Sequence, residues 1–479
     1  MKLDSVDELK KFNKIFLVGN IKDTRLINKH IKNSTEKTLI LFLNKSAPKN
    51  LMFLEEKYKN ISFKLFSWSI FNHIYYERWH PHKLSIENSE NIYNEILEKN
   101  KLLLTFFSKL YSSDMTNLSF KKSIALQVNE YYELIKIYEL IKRYNNNIIP
   151  IACRRTYNSI KKFVDVELST DFHKKVLFYG NNFLLKKNLS QVFIFVFYPL
   201  FALLSVRKFI VKKNKKSIGI RLYKDGMGFD SNHNAGWIID DKFFNKKNSL
   251  FIVEGKGIEK FKQDLIKNQY DFLQCSNRAP LQKCSLSFFF KIIFLYVPLS
   301  LVFFPIFILS SHILRDEAIT AWIKFFIWKN FISIFNIDSY LSYHNYTSDH
   351  IYRNILLKQI NCFTVMYKHT HSENVFDYKK KKNYAYAIYM NLFYDLECHW
   401  SSLSVEMSKA NQSKSKEFLL SGPIWSSEEF LNKNKNNKIN INKNNTTLGF
   451  FTSSYPGFSA VNSIDSHQKF LLFVLEVIK

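Results

Sequence analysis

The chain has 479 residues, 46% hydrophobic and 23% charged, with 69 Lys and Arg against 41 Asp and Glu for a formal charge of +28. That balance is near globular averages and excludes a collagenous, disordered or disulfide-framework chain. The length allows roughly two to four domains.

Lys, Asn, Ile and Phe abound, the residues that AT-rich codons supply, and the positive charge is dispersed along the chain. Charge alone therefore does not point to nucleic acid, and no nucleic-acid partner is expected. Five cysteines, Cys153, Cys275, Cys284, Cys362 and Cys398, are odd in number and form no C-x-x-C pair. They read as buried thiols in a reducing compartment. The first twenty residues mix acids and bases without a secretory apolar core, so the bulk of the chain is expected in the cytoplasm.

The first 180 residues read as an α/β unit. Short apolar runs predict strands at Lys14–Val18, Thr38–Leu43, Ile61–Trp68 and Ile148–Ala152, and helical spacing predicts a long amphipathic helix over Ile124–Tyr144. Strands alternating with helices favour a mostly parallel sheet. Leu189–Val206 then runs for 18 residues without a charge. A second α/β series follows, with strands expected at Ser217–Leu222, Leu250–Val253, Ile337–Tyr343, Cys362–Tyr367, Tyr384–Met390, Leu396–Trp400 and Glu417–Leu420, and a helix over His350–Gln359. Within this series Ile292–Leu314 is 23 residues without formal charge. Leu431–Asn445 is a Lys/Asn low-complexity linker or loop, and Thr447–Phe451 starts a new strand before a helix expected from Ser466.

Both apolar segments are long enough for a bilayer core of about 30 Å. Pro199 interrupts the first, Pro298 and Pro305 the second, and basic residues flank each on both sides. A single crossing would put one basic cluster on the wrong face. Insertion from one side is the simpler account, with proline-broken re-entrant or in-plane helices and basic ends on anionic headgroups. Buried core helices and true spans are the alternatives.

No P-loop, GxGxxG, H-E-x-x-H or G-x-S-x-G occurs. In open α/β sheets ligands bind beyond the carboxyl ends of strands, so the strand-end loops are the candidates. Lys224 and Asp225 lie in a Gly-containing loop, Asp225 as a candidate base and the alternative being a solvated turn. His344 ends a predicted strand, and Asp349 opens a predicted helix, where it or Ser348 reads alternatively as an N-cap. His369, His371 and Glu373 share one loop; without a third ligand of the right spacing they read as polar contacts, and no metal or other cofactor is expected. Trp425 offers a stacking face, and Thr452, Ser453 and Ser454 are small hydroxyl residues suited to diphosphate oxygens.

The order RLYKDGMGF, SYHNYTSDHIYRNILL, YKHTHSEN, ECHW, GPIW and GFFTSSYPG resembles bacterial surface-polysaccharide glycosyltransferases of the GT-B type, those of capsule or O-antigen, over residues 217–479. More distantly it is similar to the glycerophosphotransferases of wall teichoic acid synthesis. The resemblance implies an α/β enzyme with Rossmann-type lobes and two membrane-associating segments. With the strand and segment pattern, the chain divides into an N-terminal α/β domain (1–180) and a hydrophobic segment with basic flank (181–216); the resemblance makes the rest an acceptor-side domain (217–420) with an insertion at about 286–314, and a linker with the start of an incomplete donor lobe (421–479).

It further implies a nucleotide-sugar donor, a lipid-linked or surface-polysaccharide acceptor, and a place on the cytoplasmic face of the inner membrane. Asp225, His344 and His371 would be catalytic, Lys224, Asp349, His369 and Glu373 would bind substrate, and Trp425 and Thr452–Ser454 would hold the donor. A glycerophosphotransferase-like polymer synthase and a non-catalytic scaffold of the same pathway are the alternatives. The remainder of a donor lobe is expected beyond Lys479, without which the chain would be inactive.

Overall fold

A computed structural model describes residues 3, 5–19, 35–43, 59–66, 68–70, 80–152, 157, 170–178, 181–223, 245–254, 259–275, 277, 280–343, 347–368, 376–377, 382–383 and 387–422. The chain forms two compact units, one of residues 1–88, 127–186 and 438–479, the other of residues 89–126 and 187–437.

The first unit holds a five-stranded, fully parallel sheet built from β1 (Lys14–Val18), β2 (Thr38–Phe42), β3 (Ile61–Leu65), β4 (Ile148–Ala152) and β5 (Leu177–Phe178), in the order β3-β2-β1-β4-β5. β1 and β2 are nearly continuous apolar runs because a parallel strand is covered on both faces. Phe16, Val18, Ile40, Phe42, Phe63 and Ile151 pack into one core. Helices α1 (His80–Tyr111) and α2 (Thr116–Lys142) contribute to both units, and the short α3 (Thr170–Lys175) lies between β4 and β5 in the chain. Asp171 on α3 accepts from Tyr138 and pairs with Lys142 of α2; these bonds pull its carboxyl down to about 2.

The second unit is built on a seven-stranded parallel sheet. Its strands are β7 (Asn214–Tyr223), β8 (Ser249–Glu254), β9 (Asp271–Cys275), β11 (Phe335–Tyr343), β12 (Phe363–Tyr367), β15 (Leu396–His399) and β16 (Glu417–Leu420), in the order β16-β15-β12-β11-β7-β8-β9. Apart from it, β6 (Lys208–Ile210) pairs in parallel with β10 (Lys283–Ser285), and β13 (Phe376–Asp377) pairs antiparallel with β14 (Lys382–Asn383). Counted along the chain, each large sheet starts 3-2-1-4-5. That is the doubly wound order of a Rossmann-like α/β fold, with its reversal between the first and fourth strands. The α/β reading of the sequence holds.

The helices of this unit are α4 (Asn181–Leu204), α5 (Glu259–Lys267), α6 (Leu286–Lys291), α7 (Val297–Leu309), α8 (His312–Ile334), α9 (Asp349–Lys358) and α10 (Ser402–Ala410). The prolines do not break the apolar segments as expected. α4 runs through Pro199, and α6 passes through one π-turn, Ile292–Tyr296, into α7. Pro298 falls in the first turn of α7, where a missing N–H is tolerated. The break comes instead at Ser310–Ser311, where Asn100, at a kink in α1, accepts from Ser311 N at 2.7 Å and donates to its hydroxyl at 2.9 Å.

α4 and α7 touch through stacked Phe195 and Phe307, centroids 4.5 Å apart, and through Ser300 Oγ donating to Val196 O. Both pack on α8, where Trp322 and Phe326 meet Phe195 and Tyr198 of α4, and Phe325 and Phe326 meet Tyr296 of the π-turn. Their outer faces remain exposed: Leu189, Phe193, Phe197 and Leu204 on α4, and Phe290, Phe294, Leu301, Val302 and Leu309 along the α6–α7 run.

One expected strand is corrected. Within Tyr384–Met390, Ala387–Tyr389 forms a single 3-10 turn, because the chain reverses at Asn391 in the left-handed region (φ 54°). The strand expected at Thr447–Phe451 and the helix from Ser466 lie outside the described residues. Cys275, Cys284, Cys362 and Cys398 are free thiols, and burial pushes Cys284 and Cys362 up to about 12.

Candidate functional site

In the seven-stranded sheet the winding reverses between β7 and β11, the place where open α/β sheets receive ligands. Lys224 and Asp225 directly follow β7, His344 directly follows β11, and His369, His371 and Glu373 come shortly after β12. These six residues, with Trp425, Thr452, Ser453 and Ser454, lie outside the described residues. Of the expected site residues only Asp349 is described. Its carboxylate pairs with Lys324 Nζ at 2.5 Å. Ser348 stands at the N-cap of α9 but makes no capping bond; its hydroxyl bonds to Glu317 instead.

At the carboxyl end of the sheet one face is polar and buried. Met366 registers with Ser342 on one side and Glu397 on the other, so the three share a face. Arg221 follows Ile220, whose partner is Leu341, and falls in the same row. Two residues further along their strands, Lys368 and His399 return to that face. Arg221, Ser342, Lys368, Glu397 and His399 are all buried.

Three helices add charged or ring groups: Lys122 from α2, Glu317 from α8 and His350 from α9, all buried. Tyr352 donates to Glu317 Oε1 at 2.8 Å and accepts from Ser119 Oγ at 2.5 Å. Burial drives the Glu317 carboxyl up to about 7, against hydrogen bonds from Ser348, Tyr352 and Ser123; the Asp349 charge adds to the rise. Burial also brings Lys122 down to about 7, opposed by the charges of Glu317 and Glu397, and Lys368 down to about 8, opposed by Glu397.

Several of these groups have their bonding complete within the fold. Burial opposes ionisation of Glu397, yet His399 Nε2 at 3.0 Å, Ser408 Oγ at 2.9 Å and Ser413 Oγ at 2.5 Å bond to it, and its carboxyl ends below the usual range. His399 Nδ1 in turn takes Ser404 Oγ at 2.9 Å. Serine, histidine and carboxylate are in line, but Ser404 is 2% exposed, so the relay orders the strand end rather than presenting a nucleophile.

His350 Nδ1 donates to Thr347 O at 2.5 Å, and its Nε2 accepts from Phe393 N at 3.2 Å. Those bonds fix the neutral Nδ1–H tautomer, and burial beside Lys122 holds its pKa well below the ordinary value. Arg353 is enclosed by the rings of Tyr340, Trp328 and Tyr394, with Tyr340 at 4.4 Å.

Lys122 and Ser342 differ. Lys122 Nζ and Ser342 Oγ are buried donors with no hydrogen-bond partner among the described residues. Lys122 and Lys368 both feel the charge of Glu397, and Lys122 and Arg221 both act on His350, so three cations gather at this end of the sheet and suit an anionic oxygen such as a phosphate. No group of three or more His, Cys, Asp or Glu converges as a metal site among the described residues.

Compared with protein-family models, curated proteins and solved structures, the chain gave no match. The site therefore stands on its own geometry.

Sequence reasoning missed Lys122 and Glu317, which lie 195 positions apart in the chain and are joined only by folding. One signal was present: Lys122 falls three and seven residues before Ala125 and Asn129, on a buried helical stripe.

Proposed function

We propose that this chain is a glycosyltransferase of the GT-B type, moving a sugar from a nucleotide-sugar donor to a lipid-linked or surface-polysaccharide acceptor at the cytoplasmic face of the inner membrane. The observation that carries the reading is the duplicated sheet order: two parallel sheets in one chain, each starting 3-2-1-4-5. Doubly wound sheets take nucleotides at the reversal point; on this reading the two substrate lobes are the two sheets themselves, in place of the acceptor domain at 217–420 and donor lobe from 421 that the resemblance suggested.

The buried cations Lys122, Arg221 and Lys368 support an anionic diphosphate ligand, and the exposed apolar faces of α4 and α6–α7 support a lipid-borne acceptor. The expected residues Asp225, His344 and His371 remain proposed catalytic positions, and Lys224, Asp349, His369 and Glu373 proposed substrate contacts. Calorimetric titration of the purified chain with UDP-, GDP-, CMP- and dTDP-sugars tests the reading. Saturable heat with one nucleotide class is expected, and uniform absence of heat overturns it.

A further inference from the structure

Away from the strand ends, Lys213, Lys291 and Lys329 line a cavity of about 520 Å³ where the β6–β10 ribbon meets α6 and α8. Ser287, Val211 and Leu286 share the wall, and no acidic residue lines it among the described residues. Lys329 Nζ bonds to Gln359 Oε1 at 2.8 Å. Burial, then the charges of Lys291 and Lys213, hold its pKa below the ordinary value, so the ammonium groups repel one another across the cavity.

Val211 and Leu286, which line the cavity, are exposed, and Phe290, one helical turn after Leu286, stacks on Phe294. Val211 is 96% exposed and Phe294 is 74% exposed, with Phe290 and Leu295 beside it. The opposite stripe of the same run, Phe288, Ile292, Tyr296, Ser300 and Phe307, is buried, so the exposed side is the one left unpartnered.

We propose that this cavity binds the phosphate headgroup of an anionic phospholipid in a bilayer surface, with acyl chains against Phe290, Phe294 and Leu301. The charge selects this occupant. Two copies of the chain meeting through the same face would bring six lysines together without a carboxylate, whereas an anionic leaflet neutralises all three at once. The inference deepens the membrane placement in the proposed function and rests on it.

Co-sedimentation with vesicles of phosphatidylcholine, with and without phosphatidylglycerol, is the test. The parent chain is expected to bind the phosphatidylglycerol vesicles. The triple variant Lys213→Gln, Lys291→Gln, Lys329→Gln is expected to lose at least about tenfold in affinity for them. The same charge change at the exposed Lys101, Lys109 and Lys414 is expected to lose far less. A parent that ignores both vesicles overturns the membrane placement as well as the cavity. A parent that binds, with cavity and control variants equally weakened or both unaffected, overturns the cavity alone.

Release of the parent by millimolar inorganic phosphate at constant ionic strength overturns it in favour of a free-phosphate site. A lipid-free dimer that Phe294→Ser dissolves overturns it in favour of a contact between copies. Should the triple variant fold poorly, Lys291→Gln alone, at an exposed residue, carries the same comparison.

Discussion

Lys122 places a cation where no group among the described residues hydrogen-bonds to it, and burying such a charge is costly. Its pKa drops from 10.5 to about 7 on folding. Between those values the unfolded chain binds more protons, so Lys122 makes stability rise with pH from about 7 towards 10.5. Glu317 acts in the opposite sense. Its carboxyl rises from 4.5 to about 7, so the folded chain holds the extra proton, and that contribution is lost as pH rises through 7. Urea unfolding from about pH 4 to about pH 10 is therefore expected to show a shallow minimum near neutrality, with a slope of at most about 1.4 kcal/mol per pH unit for each group. Lys122→Met with Glu317→Gln should flatten it; a minimum that survives both substitutions would exclude this pair as its source. Lys122→Met alone is expected to stabilise the chain by about 1 kcal/mol or more at neutral pH, since an apolar side chain of similar length replaces a buried ion. If the ammonium serves a diphosphate, the same variant weakens nucleotide-sugar binding by about tenfold or more. Greater stability with unchanged binding would assign Lys122 to the fold alone.

At the scale of elements, β7 is the pivot of the larger sheet, hydrogen-bonded to β11 on one side and β8 on the other. Gly219 sits at its middle, and a Cβ there would lie 2.9 Å from Ile337 Cδ1, 3.1 Å from Ile252 Cδ1 and 3.2 Å from Tyr340 Cδ2. The two isoleucine tips can rotate aside, but the Tyr340 ring is packed beneath Arg353, so not all three neighbours yield freely. Gly219→Ala is expected to cost about 1–2 kcal/mol in urea unfolding; a neutral substitution would mean that the centre of the sheet is looser than its packing implies. The central strands were legible in the sequence for the same reason they are stable. Lys14–Val18 and Ile148–Ala152 read as apolar runs because both faces are covered, and their bounds match β1 and β4 closely; Cys362–Tyr367 matches β12 although Phe363 on one face is exposed. β9, DFLQC at the sheet edge, was not anticipated, because only its central Leu273 is buried and no alternation marks it. α1 was missed although Ile92, Ile96, Leu103 and Phe107 carry helical spacing, since His80–Tyr111 reads locally as mixed charge. The candidate site was half legible. Strand-end positions follow from the order of strands, whereas Lys122 and Glu317 enter from helices whose docking no local pattern encodes.

For the whole molecule the open question is how the apolar helices meet a membrane. The continuous run Leu286–Leu309 is 24 residues, about 36 Å at 1.5 Å per residue, long enough to cross a bilayer core. Length alone does not decide, because 22% of its most apolar window is buried by the protein itself. That buried share is not scattered. Phe288, Ile292, Tyr296, Ser300 and Phe307 follow helical spacing down one side, and Tyr296 is locked against Phe325 and Phe326 of α8. A spanning helix would be surrounded by lipid or by other apolar spans, yet α8 carries Arg315, Asp316, Glu317, Lys324 and Lys329 along its length. Pulling such a helix into hydrocarbon with its neighbours would cost several kcal/mol. The arrangement favours helices lying in the interface plane, their outer faces about 5–10 Å deep. Phe294→Trp should therefore fluoresce in a vesicle-bound sample with stronger quenching by lipids brominated near the headgroup than by lipids brominated at the chain ends, judged as the difference from the parent chain. Strongest quenching from the chain ends would mean a crossing. Phe294→Ser with Val302→Ser, both at exposed positions, should weaken vesicle binding by at least about a hundredfold, from roughly 1.5–3 kcal/mol for each large side chain withdrawn from lipid. Thermal stability in the absence of lipid should change little, because both side chains are mostly exposed and Phe294 stacks only on the exposed Phe290.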